Sequence, residues 1–300
     1  MKRFLALTMG VIMTMTGLGG LVYANDTQTR IDGIVKKIEA DYDTDNRTER
    51  SNEKLKELYG EIPNEFEADP EYKEIMENFI YGEVYYQGEL DDKTRELVTI
   101  VSLATNQLES ELENHINAAL NIGVTPEEIK EAVYQCTPYI GFGKTSEVLE
   151  VVNKVFKKKN IKTPLKEQGT ITEENRIEEG IKQRAEIFGE STYNNHENAA
   201  EGQEHIQYYL SAMCFGDFYT RGTLDIKTRE ILTLCIISSL GGCESQVKSH
   251  VQANLNVGND KDTLIGAVTQ CMPYNGFPRT LNAISCINEI TAQNEQNAEK

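Results

Sequence analysis

The chain contains no tryptophan, four histidines and seven prolines in 300 residues, and basic residues are scarce: 30 Lys and Arg stand against 48 Asp and Glu, a formal net charge of −18. Each shortage excludes something. A surface this acidic repels phosphate backbones, and no basic block exceeds Lys157, Lys158 and Lys159, so nucleic acid is not an expected partner. With no Trp and 8% aromatic residues, stacking platforms for bases or sugars are hard to build. The hydrophobic share is nevertheless ordinary at 39%, and the 22 glycines and seven prolines are thinly spread, which excludes a chain disordered throughout. The length suits two modest domains better than one outsized core.

Long apolar runs are also missing, apart from the first 25 residues. There Lys2 and Arg3 precede an uncharged stretch from Phe4 to Tyr23, and Val22, Tyr23 and Ala24 form an Ala-x-Ala-like cleavage site. This predicts a signal peptide cut after Ala24 and a secreted or periplasmic protein with no stable membrane span; an uncleaved anchor is the alternative. Threonines and glycines dilute the stretch, which favours transient insertion. Removing residues 1–24 leaves 28 basic against 48 acidic residues, a net charge of −20. Export would place Cys136, Cys214, Cys235, Cys243, Cys271 and Cys286 where disulfides can persist, but only Cys136 lies in the first half, so a densely stapled scaffold is not the design.

What is present is an internal repeat. Gly88 to Glu96 reads GELDDKTRE and Gly222 to Glu230 reads GTLDIKTRE, 134 residues apart. At an offset of 135, Glu109-Ser110 matches Glu244-Ser245, His115 matches His250, and QCTPYIGF from Gln135 matches QCMPYNGF from Gln270 with six identities in eight. The resulting organisation is a signal peptide over 1–24, a polar tail or frayed helix over 25–50, a first repeat over 51–160, a linker over 161–170, a second repeat over 171–292 and a short tail over 293–300.

Within each copy the apolar period is close to that of a helix. Leu97, Ile100, Val101, Ala104 and Leu108 form one stripe, repeated by Ile231, Leu234, Cys235 and Ser238. A second helix runs from about Glu109 to Ile122, with Gly123 placed for a left-handed cap. Thr125-Pro126-Glu127-Glu128 starts a third, which Pro138 is expected to break, and a fourth spans Ser146 to Phe156. No segment sustains strand alternation. The fold class is therefore all-α, two tandem helical repeats.

Each first long helix carries an Arg-Glu pair (Arg95-Glu96, Arg229-Glu230) and each second helix a histidine (His115, His250). Antiparallel helices joined by a short turn can bring Glu and His together as a proton-transfer couple near neutral pH, or the histidine can fill a packed, hydrogen-bonded slot. Four residues before each histidine stand Glu111 and Gln246. Glu111 can reach His115 along one helix face, and Glu96, Glu111 and His115 make only a weak metal pattern, so no metal is expected. Cys243 lies two turns before His250. In the repeated QCxPYxGF segment, Pro, Gly and Phe suit a tight interhelix corner, whereas Tyr139 and Tyr274, Cys136 and Cys271 suit a corner or a cleft equally.

Taken together, LDxKTRE, the histidine of ESELENHINAALNIG and ESQVKSHVQANLNVG, YxGF and the closing PRTLNA resemble the carboxymuconolactone decarboxylase family, which includes the alkyl hydroperoxidase D-like proteins. The resemblance covers about 70 residues per copy. It implies small all-α units assembling as trimers or hexamers, so a tandem chain would mimic a dimer and trimerise, with sites between helices near subunit contacts. The peroxidase branch uses a Cys-x-x-Cys pair; here Cys243 fills only the first place and Gln246 the second, leaving Cys243 with a thiol such as Cys271 as a different pair. The decarboxylase branch resembles the chain better and needs no dithiol or cofactor. It implies that His115 and His250 move a proton, Glu96 and Glu230 hold them, Arg95 or Arg229 binds a substrate carboxylate, and Tyr139 and Tyr274 line the site of a small-molecule substrate. Thiol-dependent peroxide reduction and a non-catalytic binding module are the alternatives.

Overall fold

A computed structural model describes residues 19–41, 46–61, 66 and 68–298. Residues 1–18, which hold most of the expected signal peptide, lie outside the described residues. The described residues form helices and turns with no strand, and none of their helices is long and apolar enough to cross a membrane.

The chain divides into two compact units, Met1–Arg47 and Thr48–Lys300. In the first, helix α1 spans Gly19–Asp41 and residues 27–39 are exposed. Of the segment expected as a polar tail or frayed helix, residues 25–41 are helical, and α2, Arg47–Tyr59, begins inside it, turning Ser51, Lys54, Leu55 and Leu58 inward.

Both repeats lie in the second unit. The first copy continues with α3 (Pro70–Gly82), a 3-10 turn at Val84–Tyr86, α4 (Asp92–Asn106), α5 (Glu109–Asn121), α6 (Pro126–Ile140) and α7 (Phe142–Lys158). The second contains α8 (Arg176–Phe188), α9 (Glu204–Tyr209) running into a π-helical segment Leu210–Tyr219, α10 (Ile226–Leu240), α11 (Glu244–Asn256), α12 (Lys261–Gln270) and α13 (Met272–Ala298), kinked at Gly276.

The repeated LDxKTRE motif is a helix start. The side chains of Asp91 and Asp225 accept the backbone N–H of Thr94 and Thr228, capping α4 and α10. Both helices are then buried on every side, from Arg95 to Thr105 and from Arg229 to Ser239, and they pack on each other. A unit of about 70 residues cannot cover such a helix alone. The copies therefore share one core, in which Val98, Ile100 and Val101 meet Ile231, Leu232 and Ile236, instead of forming two separate domains.

Three local expectations change. Leu108 is not part of the α4 stripe, because Gln107 takes a left-handed conformation (φ 58°) and ends the helix, leaving Leu108 exposed. Pro138 does not break α6; the break falls at Gly141 (φ 84°) and is repeated at Gly276 (φ 73°), where positive φ costs a glycine little. The 161–170 linker is pinned to the second copy: Gln168 accepts from the Gly222 N–H (2.9 Å) and the Thr223 hydroxyl (2.6 Å), and Thr170 donates to the Thr220 carbonyl (2.7 Å). At the other end, α13 runs through the expected tail to Ala298.

Candidate active site

Burial of α4 and α10 places Glu96 and Glu230 deep in the unit, where a carboxylate needs partners. The adjacent helices α5 and α11 supply them: Nδ1 of His115 lies 2.9 Å from Glu96 Oε2, and Nδ1 of His250 lies 2.8 Å from Glu230 Oε2. Glu111 acts on His115 through its charge, but the hydrogen bond goes to Glu96, and Gln246 bonds Ser245, not His250.

Beyond this shared pair the copies differ. In the first, Tyr85 donates to the other Glu96 oxygen, and His115 Nε2 lies 2.8 Å from the hydroxyl of Tyr274, which comes from the second copy. His115 is fully buried, and Tyr59, Tyr81 and Tyr85 crowd the same side of the core. Both imidazole nitrogens of His115 thus have protein partners, Glu96 and Tyr274. In the second copy, Tyr219, the counterpart of Tyr85, turns away from Glu230 and bonds Thr233 and Tyr139, each at 2.8 Å. Glu230 Oε1 is left buried without a partner. The backbone accounts for the difference: α3 and a 3-10 turn deliver Tyr85, whereas the wider π-helical segment delivers Tyr219.

The free edge of His250 opens on a cavity of about 480 Å³, walled by Pro138 and Tyr139 of the first copy and by Ile206, Met213, Cys214, Phe215 and Cys243, among others, of the second. His250 is 7% exposed, the opening being this cavity. Each site is thus composite: the repeat that supplies Glu and His takes its YxGF tyrosine from the other copy.

Arg95 and Arg229 do not stand where a substrate carboxylate could reach them. Arg229 Nη2 donates to the Arg221 and Gly222 carbonyls (2.9 and 3.0 Å) and Nη1 to Gln135 (2.9 Å); Arg95 does the same to Gln87 and Gly88 (2.7 and 3.1 Å) and Gln270 (3.2 Å). Gln135 and Gln270 in turn donate to Thr233 and Thr99 of the opposite copy. These arginines clasp the two repeats together. The thiols diverge as well. Cys271 is buried on the Val98 carbonyl and beside Cys235, and Cys136 is buried on Ala132, so neither pairs with Cys243, and all six cysteines are free thiols. Burial pushes the Cys214 thiol up to about 12.

Two site features were not anticipated. Tyr85 and Tyr219 sit three residues before the repeated glycines at the same offset of 134, so extending the repeat backwards would have found them. Cys214 has Ile80 as its counterpart and carried no such signal.

A family model described as the carboxymuconolactone decarboxylase family matches residues 70–154 and again 204–289. The chain belongs to the carboxymuconolactone decarboxylase family. It carries the family unit twice, with Glu96 and His115 in one match and Glu230 and His250 in the other. A 4-carboxymuconolactone decarboxylase from Acinetobacter baylyi is 35% identical over 111 residues, covering 37% of this chain and 81% of that protein. A nitrosuccinic acid decarboxylase from Metarhizium robertsii is 33% identical over 84 residues, 28% of this chain and 59% of that protein. A crystal structure described as a gamma-carboxymuconolactone decarboxylase subunit from Burkholderia xenovorans LB400 superposes with a TM-score of 0.47 at 19% identity, covering 82% of this chain and 98% of that one.

The closed first-copy site has a pH signature. Burial acts to lower the His115 imidazole, but the charge and hydrogen bond of Glu96, aided by Glu111, outweigh it and leave the imidazole raised above its usual range. The stability this adds is fully present below about pH 6.5, the unfolded value, and is lost as pH climbs through the raised one. The melting-temperature gap between wild type and His115→Gln should therefore be wider at pH 6 than at pH 9. An equal gap at both would remove this account of the pair.

Proposed function

We propose cofactor-independent acid–base catalysis at one site per chain, with His250 moving the proton and Glu230 holding it, in a decarboxylation or related lyase or isomerase step on a small acidic or lactone substrate. One observation carries this reading: of the two Glu–His pairs, only Glu230–His250 presents an imidazole edge to a cavity large enough for a small molecule. The relatives support the reaction class, since both are named as decarboxylases. In such a step the bond to the carboxylate carbon breaks, CO2 leaves, and the electron pair stays on the substrate as an enolate-like carbanion. The imidazolium Nε2–H supplies the proton that carbon takes up, and solvent restores it. Glu230 keeps the ring oriented through its bond to Nδ1, and the cavity walls are mostly apolar.

Peroxide reduction through Cys243 is not favoured, because its thiol contacts the Gly241 carbonyl and Cys214, the other thiol on the cavity wall, is kept protonated by burial. The test is a panel of carboxylated lactones and apolar enol or phenol acids, followed by CO2 release and by deuterium uptake from D2O in mass spectra. Glu230→Gln should lower turnover by about 10-fold or more, and Cys243→Ser should retain it. Loss of turnover in Cys243→Ser with retention in Glu230→Gln would reverse the assignment.

A further inference from the structure

The cavity beside His250 differs from what a multiply charged acid requires. Of its thirteen lining residues none is Lys, Arg, Asp or Glu; the walls are Pro138, Ile206, Leu210, Met213, Phe215 and other apolar side chains, with Tyr139, Tyr209, Gln246, two thiols and His250 as the polar groups. Arg184 places its guanidinium 5.8 Å from the Phe215 ring centre but donates to Gln207 and is not part of the lining. A second carboxylate, away from His250, would lose its water here without meeting a Lys or Arg of the lining.

The first copy shows what the imidazole edge accepts. There the partner of His115 Nε2 is a phenol, Tyr274, at 2.8 Å and nearly perpendicular to the ring (84°, centroids 5.5 Å apart). Tyr139 occupies the equivalent place beside His250, at 80° and 6.0 Å, yet its hydroxyl is bonded to Tyr219. The same Glu–His pair is therefore met by a protein hydroxyl in one copy and by the cavity in the other.

We propose that the second-copy cavity takes an apolar molecule that presents a single phenol- or enol-type hydroxyl to His250 Nε2 and carries no carboxylate beyond the one a decarboxylation would release. This narrows the substrate class and rests on the acid–base reading of His250. The enol is also the form in which an enolate-like carbanion receives a proton on oxygen, so such a ligand matches the species the site would hold in mid-reaction.

The experiment titrates the full chain with 2-naphthol and, separately, with naphthalene-2,6-dicarboxylate, following ¹³C-methyl resonances of methionine, with Met213 identified by Met213→Leu. 2-Naphthol should shift the Met213 methyl in saturable fashion, and the dicarboxylate should bind about 10-fold or more weakly. His250→Ala should weaken 2-naphthol about 3- to 10-fold, the loss of one hydrogen bond. The proposal is overturned if the dicarboxylate binds as tightly as 2-naphthol, or if 2-naphthol binds without moving Met213. The two readings separate cleanly. A dicarboxylated lactone turned over in a His250-dependent way would keep the acid–base site and sink the ligand class. 2-Naphthol bound at Met213, with turnover of the acid panel unchanged in His250→Ala, would do the opposite.

Discussion

His250→Ala is expected to lower kcat/KM by about 10²- to 10⁴-fold, the range for loss of a positioned general acid–base, whereas His115→Gln should leave kcat/KM of the folded protein unchanged. The two histidines are equivalent in sequence and in their bond to a buried glutamate. They differ in the second nitrogen: that of His115 is taken by Tyr274, and that of His250 opens on the cavity. A proton can reach a substrate only in the second case. His115→Gln should instead appear as lost stability, because it leaves Glu96 short of a partner inside the core. Equal loss of turnover in the two variants, with circular dichroism showing both folded, would mean that the first copy opens in solution and is catalytic too.

The second large effect concerns Arg229. Arg229→Met should destabilise the protein by about 3–5 kcal/mol, measured by urea unfolding, with little change in KM for the folded enzyme. Arg229 is 1% exposed and holds two carbonyls of the loop before α10, Gln135 of the opposite copy, and Glu131, itself equally buried. Removing it takes a donor from each of these acceptors and leaves Glu131 with Arg221 alone. Arg95→Met should cost less, since Gly266 stands where the second copy would need a counterpart of Glu131, and among the described residues Arg95 donates to carbonyls and an amide, not to a carboxylate. A rise in KM with unchanged stability would instead return Arg229 to the substrate-binding role that its place beside Glu230 suggests.

That reversal shows where reading along the chain stops being sufficient. An arginine next to a candidate catalytic glutamate looks available to substrate. In the fold, adjacent residues on α10 point in different directions, and Arg229 is spent on the loop and on Gln135. Gln135 carried no role in the reading of the repeated segment, because its partner lies 94 residues away and only the packing of one copy on the other reveals it. The shared core was hidden for the same reason: apolar period along α4 and α10 gives one stripe, while burial of every face depends on what the other copy covers.

The sequence by itself determined the all-α class, the duplication and the helix start at Thr125, since capping and helical period are local properties; it placed Glu and His on neighbouring helices and left open whether they meet. Only the tertiary structure decided which pair faces a cavity, which tyrosine crosses to which histidine, and that the arginines are clasps. Those outcomes turn on contacts between residues 80 to 175 apart and on one π-helical segment, where a shift of a single residue per turn carries Tyr219 away from Glu230.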